Sequence, residues 1–172
     1  FVIAGQGEDF EGYRLRMQHP ERFEVRNHWI GDRERSELFQ RATIVVLPYT
    51  EATQSGVVPV AYTFGKPVIA TTVGGLPECV EHERTGLLVP PRDSSALADA
   101  IVTLLSDPAK CRAYGTAGKE KLDRECSPEV IAQATLGVYR RAIADRRPGS
   151  PRQNRVLATG LSESVGSAQD PR

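Results

Sequence analysis

Long apolar runs are missing from this sequence, and none approaches the roughly 20 residues that a membrane-spanning helix needs. Cysteine is scarce, limited to Cys79, Cys111 and Cys126. Their odd number and the lack of metal-ligand spacing argue against a disulfide framework and a zinc site, and suit a reducing compartment. An excess of charge is lacking too. Lys and Arg number 22, as do Asp and Glu, for a formal net charge of +0. Nucleic-acid-binding domains usually carry a basic surplus, so no nucleic acid is expected as the main partner. There is no initiator Met and no basic leader. The chain opens on Phe1-Val2-Ile3-Ala4-Gly5, inside an apolar strand, so it reads as a fragment. What is present is ordinary globular usage, 40% hydrophobic and 26% charged over 172 residues, enough for one domain with a core.

Short apolar runs alternate with amphipathic stretches. Residues 1–4 are apolar and end at Gly5-Gln6-Gly7; Phe10, Tyr13 and Met17 follow at helical spacing. Residues 23–26 alternate apolar and charged side chains, as a half-buried strand does. Gly31-Asp32 begins a helix with Leu38, Phe39 and Ala42 on its buried stripe. Residues 44–47 form a β-branched run suited to a strand buried on both faces. A loop leads to a helix over residues 56–64, and residues 68–70 and 87–89 read as two more strands. Beyond Pro90-Pro91 the pattern is helical, with starts at Asp93 or Ser94, at Asp107-Pro108 and at Ser127-Pro128. This order predicts an α/β fold, a Rossmann-like parallel sheet with helices on both faces and a helical C-terminal segment. The domain is expected to span residues 1–145. Residues 146–172, rich in Arg, Ser, Gly, Pro and Gln, read as a disordered tail.

The segment that carries chemistry is Leu47-Pro48-Tyr49-Thr50-Glu51-Ala52-Thr53-Gln54-Ser55-Gly56-Val57-Val58-Pro59. It follows a buried strand and precedes a helix, where ligands bind in open parallel sheets. Proline is tolerated only in the first helical turn, so Pro59 places the helix start. With Ser55 as cap, Pro59 is the fourth helical residue and the N–H groups of Gly56, Val57 and Val58 are free. Free amides at the positive end of a helix dipole suit a diphosphate. There is no P-loop, since Gly-Lys-Ser/Thr is absent and Lys66 lies at the far end of the helix. The residues alone also allow an ordinary capped helix.

The ordered set Leu47-Pro48-Tyr49-Thr50-Glu51, Gly65-Lys66-Pro67-Val68-Ile69-Ala70-Thr71, Val73-Gly74-Gly75-Leu76-Pro77-Glu78 and Thr85-Gly86-Leu87-Leu88-Val89-Pro90 resembles family 4 glycosyltransferases, also called group 1. Residues 1–7 resemble the strand and glycine loop that come earlier in the same domain. The resemblance implies the C-terminal, donor-binding half of a GT-B-fold enzyme, lacking its first βα unit. Such an enzyme transfers a sugar from a nucleoside-diphosphate sugar to an acceptor, usually with retention and without a metal or other cofactor. Carried over by position, Ser55, Gly56 and Val57 cradle the diphosphate, flanked by Thr53, Gln54 and Val58. Gly5 and Gly7 line the nucleotide side, and the strand end Asn27-His28-Trp29-Ile30 lies beside the base, although Trp29 serves equally well as a core residue. The acceptor-binding N-terminal domain and the basic pair that neutralises the phosphates are expected outside this chain, so the chain alone is expected to be inactive. The resemblance also implies a cytoplasmic enzyme, and peripheral attachment of the parent to the inner membrane face is compatible with it.

Two departures stand out. Many family members carry two glutamates eight residues apart, one toward the donor sugar and one toward the ribose. Counted back from Gly65-Lys66-Pro67, those positions hold Ala52 and Val60. Glu51, one residue away from the first, is the candidate for the donor-sugar contact. Two rival readings stay open: another GT-B enzyme such as a nucleotide-sugar epimerase, and a non-catalytic nucleotide-binding or scaffold remnant.

Overall fold

A computed structural model describes residues 1–145; the predicted tail lies outside the described residues. Three strands form the main sheet, in the order β3 (Val45–Leu47), β4 (Val68–Thr71) and β5 (Gly86–Val89), all parallel. The register sets Val46 beside Ile69 and Ile69 beside Leu87. A second, two-stranded parallel sheet pairs β1 (Val2–Ala4) with β2 (Glu24–Arg26), Ile3 beside Val25. The sequence predicts one sheet of five strands. Every predicted strand is present and parallel, but among the described residues no ladder joins the two sheets. The reason lies in coverage. Val2 and Ile3 remain 43% and 38% exposed, and the charged alternation of β2 leaves that pair half-covered. The fully apolar runs of β3 and β4 are packed on both sides.

Successive strand residues point to opposite faces, and β4 shows what that does to the core. Val68 and Ala70 join Leu47, Val58, Ala61, Tyr62, Leu76 and Val80 on one face. Ile69 joins Leu87, Val89, Ala100 and Leu104 on the other. The first face is covered by α3 (Val57–Thr63) and α4 (Leu76–Cys79), and the second by α5 (Ser94–Ser106). Helices thus lie on both faces, as predicted. The stripe Leu97, Ala100, Ile101 and Leu104 of α5 follows the i, i+3, i+4, i+7 spacing of an amphipathic helix. Burying a side chain such as Ile69 or Leu104 contributes about 1.5–3 kcal/mol.

The helical boundaries follow capping chemistry. Asp93 accepts from the N–H of Ala96 at 2.9 Å to start α5, and Asp107 accepts from Lys110 at 2.9 Å to start α6 (Pro108–Cys126). Ser127 accepts from Val130 at 3.3 Å at the start of α7 (Pro128–Ala144). Residues 1–131 form one compact unit, and residues 132–145 belong to a second. The N-terminal half departs from prediction in one place. The stripe of Phe10, Tyr13 and Met17 yields only one turn, α1 (Glu11–Arg14), which buries nothing; without packing, so short a helix does not propagate. The helix α2 (Asp32–Arg41) forms as expected, with Gly31 as a cap that makes no side-chain bond.

Helices α3 and α6 meet through glycine. A Cβ on Gly118 would lie 2.4 Å from the Tyr62 ring, and one on Gly115 would lie 2.0 Å from the Gly65 carbonyl oxygen. Tyr62 is 2% exposed, and its hydroxyl lies 2.7 Å from Thr85 Oγ1 and 3.3 Å from the Cys79 carbonyl oxygen. Gly118→Ala is expected to destabilise by about 1–3 kcal/mol through overpacking, read in urea titration or as a fall in Tm of about 2–4 °C per kcal/mol. Burial pushes the Tyr62 phenol up to about 12, above the value near 10 of an unfolded tyrosine. The folded value is the higher one, so the proton favours the native state. That contribution is intact below about pH 10 and is lost as pH rises toward 12. Stability measured from pH 9 to 12 should fall in the native chain, and Tyr62→Phe should remove this phenol's share of the slope.

Candidate functional site

The β3–α3 loop leaves the carboxyl end of β3 and climbs to the N-terminus of α3. The helix runs Val57–Thr63 with Gly56 as N-cap, so Pro59 is its third residue, not its fourth, and still lies in the first turn. Ser55 acts one step earlier than a cap: its Oγ accepts from the Val57 N–H at 3.2 Å. Of the three amides expected to be free, Val57 is therefore engaged, because the serine side chain folds back two residues as such side chains do. Among the described residues neither the Gly56 nor the Val58 N–H donates to a protein acceptor, but Val58 is 1% exposed, which leaves Gly56 as the accessible one. A Cβ on Gly56 would meet nothing within 4 Å, so the space before this helix end is open. Lys66 is turned away, donating to the Gln40 carbonyl oxygen at 3.2 Å.

Three contacts hold this loop against the end of β4. Thr71 Oγ1 donates to the Tyr49 carbonyl oxygen at 2.6 Å. The Gly75 N–H donates to the Thr53 carbonyl oxygen at 2.9 Å. Gly74, at φ 51°, lies so close that a Cβ there would sit 1.7 Å from the Ala52 carbonyl oxygen; only glycine admits this approach. Glu51, Thr53 and Gln54 are exposed on the loop, and Val60 is half-buried on α3. The valine side chain supplies no hydrogen-bond acceptor.

A second cluster lies at the carboxyl ends of β1 and β2. A cleft of about 470 Å³ is lined by Gly5, Gly7, Phe10, Tyr13, Val25 and Asn27, among others. Asn27 clasps the glycine loop: its Oδ1 accepts from the Gly7 N–H at 2.9 Å and its Nδ2 donates to the Glu8 carbonyl oxygen at 2.7 Å. A smaller cleft, about 200 Å³, lies between Pro48, Thr50, Thr71, Pro90, Arg92 and Ser94. Neither cleft contains Ser55, Gly56, Val57 or Val58. The glycine loop lines the larger cleft, and the α3 terminus lines neither.

His28, Trp29 and Ile30 do not line either cleft. Trp29 is 80% exposed, which excludes a core role in this chain. His28 Nε2 lies 3.0 Å from Glu34 Oε2. Glu34 also accepts from Arg26 at 2.9 Å, and Arg26 pairs with Glu24, which pairs with Arg41. Glu34 is held below the usual carboxylate range by its bonds to His28 and then Arg26, and Glu24 by Arg26 and then Arg41. The imidazole is already engaged by a carboxylate. Among the described residues no cluster of three or more His, Cys, Asp or Glu could hold a metal, and no helix is long and apolar enough to cross a membrane.

The family described as glycosyl transferases group 1 matches residues 1–107. The chain belongs to that family. It is 39% identical over 114 residues to the alpha-maltose-1-phosphate synthase of Mycolicibacterium smegmatis, covering 63% of this chain and 30% of that protein. Its structure superposes on sucrose-phosphate synthase from Thermosynechococcus elongatus with a TM-score of 0.72 at 32% identity, over 84% of this chain and 38% of that one. The Anabaena protein HepE, solved in complex with UDP, superposes with a TM-score of 0.69 at 21% identity over 81% of this chain and 40% of that one, a likeness of fold. The chain therefore spans well under half the length of these relatives.

Within this group 1 glycosyltransferase chain, sequence reasoning placed Asn27 beside the base and Thr71, Gly74 and Gly75 in the family motifs, but not as residues that shape the two loops. Asn27 and Thr71 act across 20 and 22 residues of sequence, and no local pattern reports that. Asn27→Ala should speed exchange of the Gly7 amide about five-fold, from the loss of one hydrogen bond of about 1 kcal/mol, measured by NMR hydrogen exchange.

Proposed function

We propose that this chain is the donor-binding part of a glycosyltransferase. It takes a nucleoside-diphosphate sugar at the carboxyl ends of its parallel strands, and an acceptor-binding half outside residues 1–172 completes the enzyme. The observation that carries this reading is the α3 N-terminus. Gly56, whose amide donates to no protein acceptor among the described residues, is exposed at the helix start beside an exposed loop, and partial positive charge at a helix start favours a diphosphate. HepE, which shares the fold, was solved with UDP and with UDP-glucose. The exposure of Glu51, Thr53 and Gln54 on the loop supports a contact with the sugar, and the cleft beside Gly5 and Gly7 is the size of a small-ligand site. Glu51 takes the donor-sugar role in this reading. The transfer proceeds with retention and without a metal, and the parent enzyme works in the cytoplasm. Val60 in place of a ribose-binding carboxylate favours one second reading, a domain that binds nucleotide without supporting turnover, because a lost charged hydrogen bond costs about 1.5–3 kcal/mol.

Gly56 separates binding from folding, since its side-chain position is empty. Gly56→Val should leave Tm within the range of a surface substitution and weaken UDP binding to residues 1–172 at least ten-fold, about 1.4 kcal/mol, in calorimetric titration. Undiminished UDP affinity in that variant removes the phosphate cradle from this loop.

A further inference from the structure

We propose that Thr71 is a positioning residue which, with the Gly74-Gly75 turn, orients the β3–α3 loop so that its amides face a diphosphate. This rests on the donor reading above and names how that same site is held in shape. Thr71 is the last residue of β4 and is 3% exposed. Its hydroxyl reaches Tyr49 O, at the start of the loop, across 2.6 Å. Farther along, the Gly75 N–H holds Thr53 O at 2.9 Å, and Gly74 abuts Ala52 O where no side chain fits. Three loop carbonyls, those of Tyr49, Ala52 and Thr53, are thereby turned toward β4 and its turn. The chain contains no cis peptide bond. In a trans peptide the N–H of the next residue points opposite to the carbonyl. The amides of Thr50, Thr53 and Gln54 are consequently turned away from β4, and none of them donates to a protein acceptor among the described residues. The carbonyl contacts thus do two things. They keep lone pairs away from the space an anion would enter, and they present a run of amides that continues into Gly56. A loop with the same residues but no anchor would scatter those amide directions, and anion binding by backbone depends on their convergence.

The test uses residues 1–172, with UDP and uridine as probes, and hydrogen exchange of the Gly75 amide as a report on the loop contact. Thr71→Val keeps the side-chain shape and removes the donor, while Thr71→Ser keeps the donor. Thr71→Val should weaken UDP at least five-fold, leave uridine affinity unchanged and raise Gly75 exchange at least five-fold; Thr71→Ser should restore all three toward the original values. Gly75→Ala, whose Cβ would lie 2.9 Å from Thr53 O, disturbs the same loop from its other end and should show the same loss of UDP over uridine, even if Thr71→Val does not fold. An equal loss of UDP and uridine in these variants, or unchanged Gly75 exchange in Thr71→Val, overturns the positioning role. If the unaltered chain fails to bind UDP, the donor reading falls, while Gly75 exchange still decides whether Thr71 holds the loop.

Discussion

Strand β4 is the element on which the other parts depend. Among the described residues it alone is hydrogen-bonded along both edges, to β3 and to β5, and all four of its residues are buried. Its alternating side chains seed two cores, Val68 and Ala70 with α3 and α4, Ile69 with α5. Gly86 is packed so closely that a Cβ there would lie 1.8 Å from the Val68 carbonyl oxygen, so β5 also takes its position from β4. At its carboxyl end the same strand supplies Thr71 and the turn that meet the β3–α3 loop. Apolar burial and placement of the candidate site are thus two consequences of one strand.

Such a strand lets a short helix do chemistry. Helix α3 has only seven residues and in isolation would be marginal. Val58, Ala61 and Tyr62 pin it to the core, and Gly115 and Gly118 allow α6 to close against it. Its N-cap, Gly56, remains exposed.

The polar surface around β2 follows a different logic. Arg26, Glu34, Glu24 and Arg41 form a continuous chain of ion pairs, and His28 joins it through its hydrogen bond to Glu34. These groups are largely solvated, and exposed pairs contribute about 0–1 kcal/mol each. Their effect is orientation: Glu34 and Arg41 of α2 are tied to β2, in a region whose apolar packing is thin.

Apolar periodicity alone located each strand to within about a residue, and capping chemistry located α5, α6 and α7, because these signals arise between residues adjacent in sequence. Pro59 similarly placed the start of α3 to within one residue through its missing N–H. The ordered motifs from Leu47 to Pro90 carried the family. Other features were decided only by tertiary structure. The division into two sheets depends on which edges find a partner, and an apolar run does not specify its neighbour. Trp29 and His28 have side chains that suit either a ligand or a scaffold; their surroundings settled exposure for one and a carboxylate partner for the other. The serine turn at Ser55 withdrew one amide from the expected cradle by a choice of rotamer that the sequence does not encode locally. Thr71 and Asn27 hold their loops by bonds to chain some twenty residues away, and such contacts exist only once packing has brought the strand ends together.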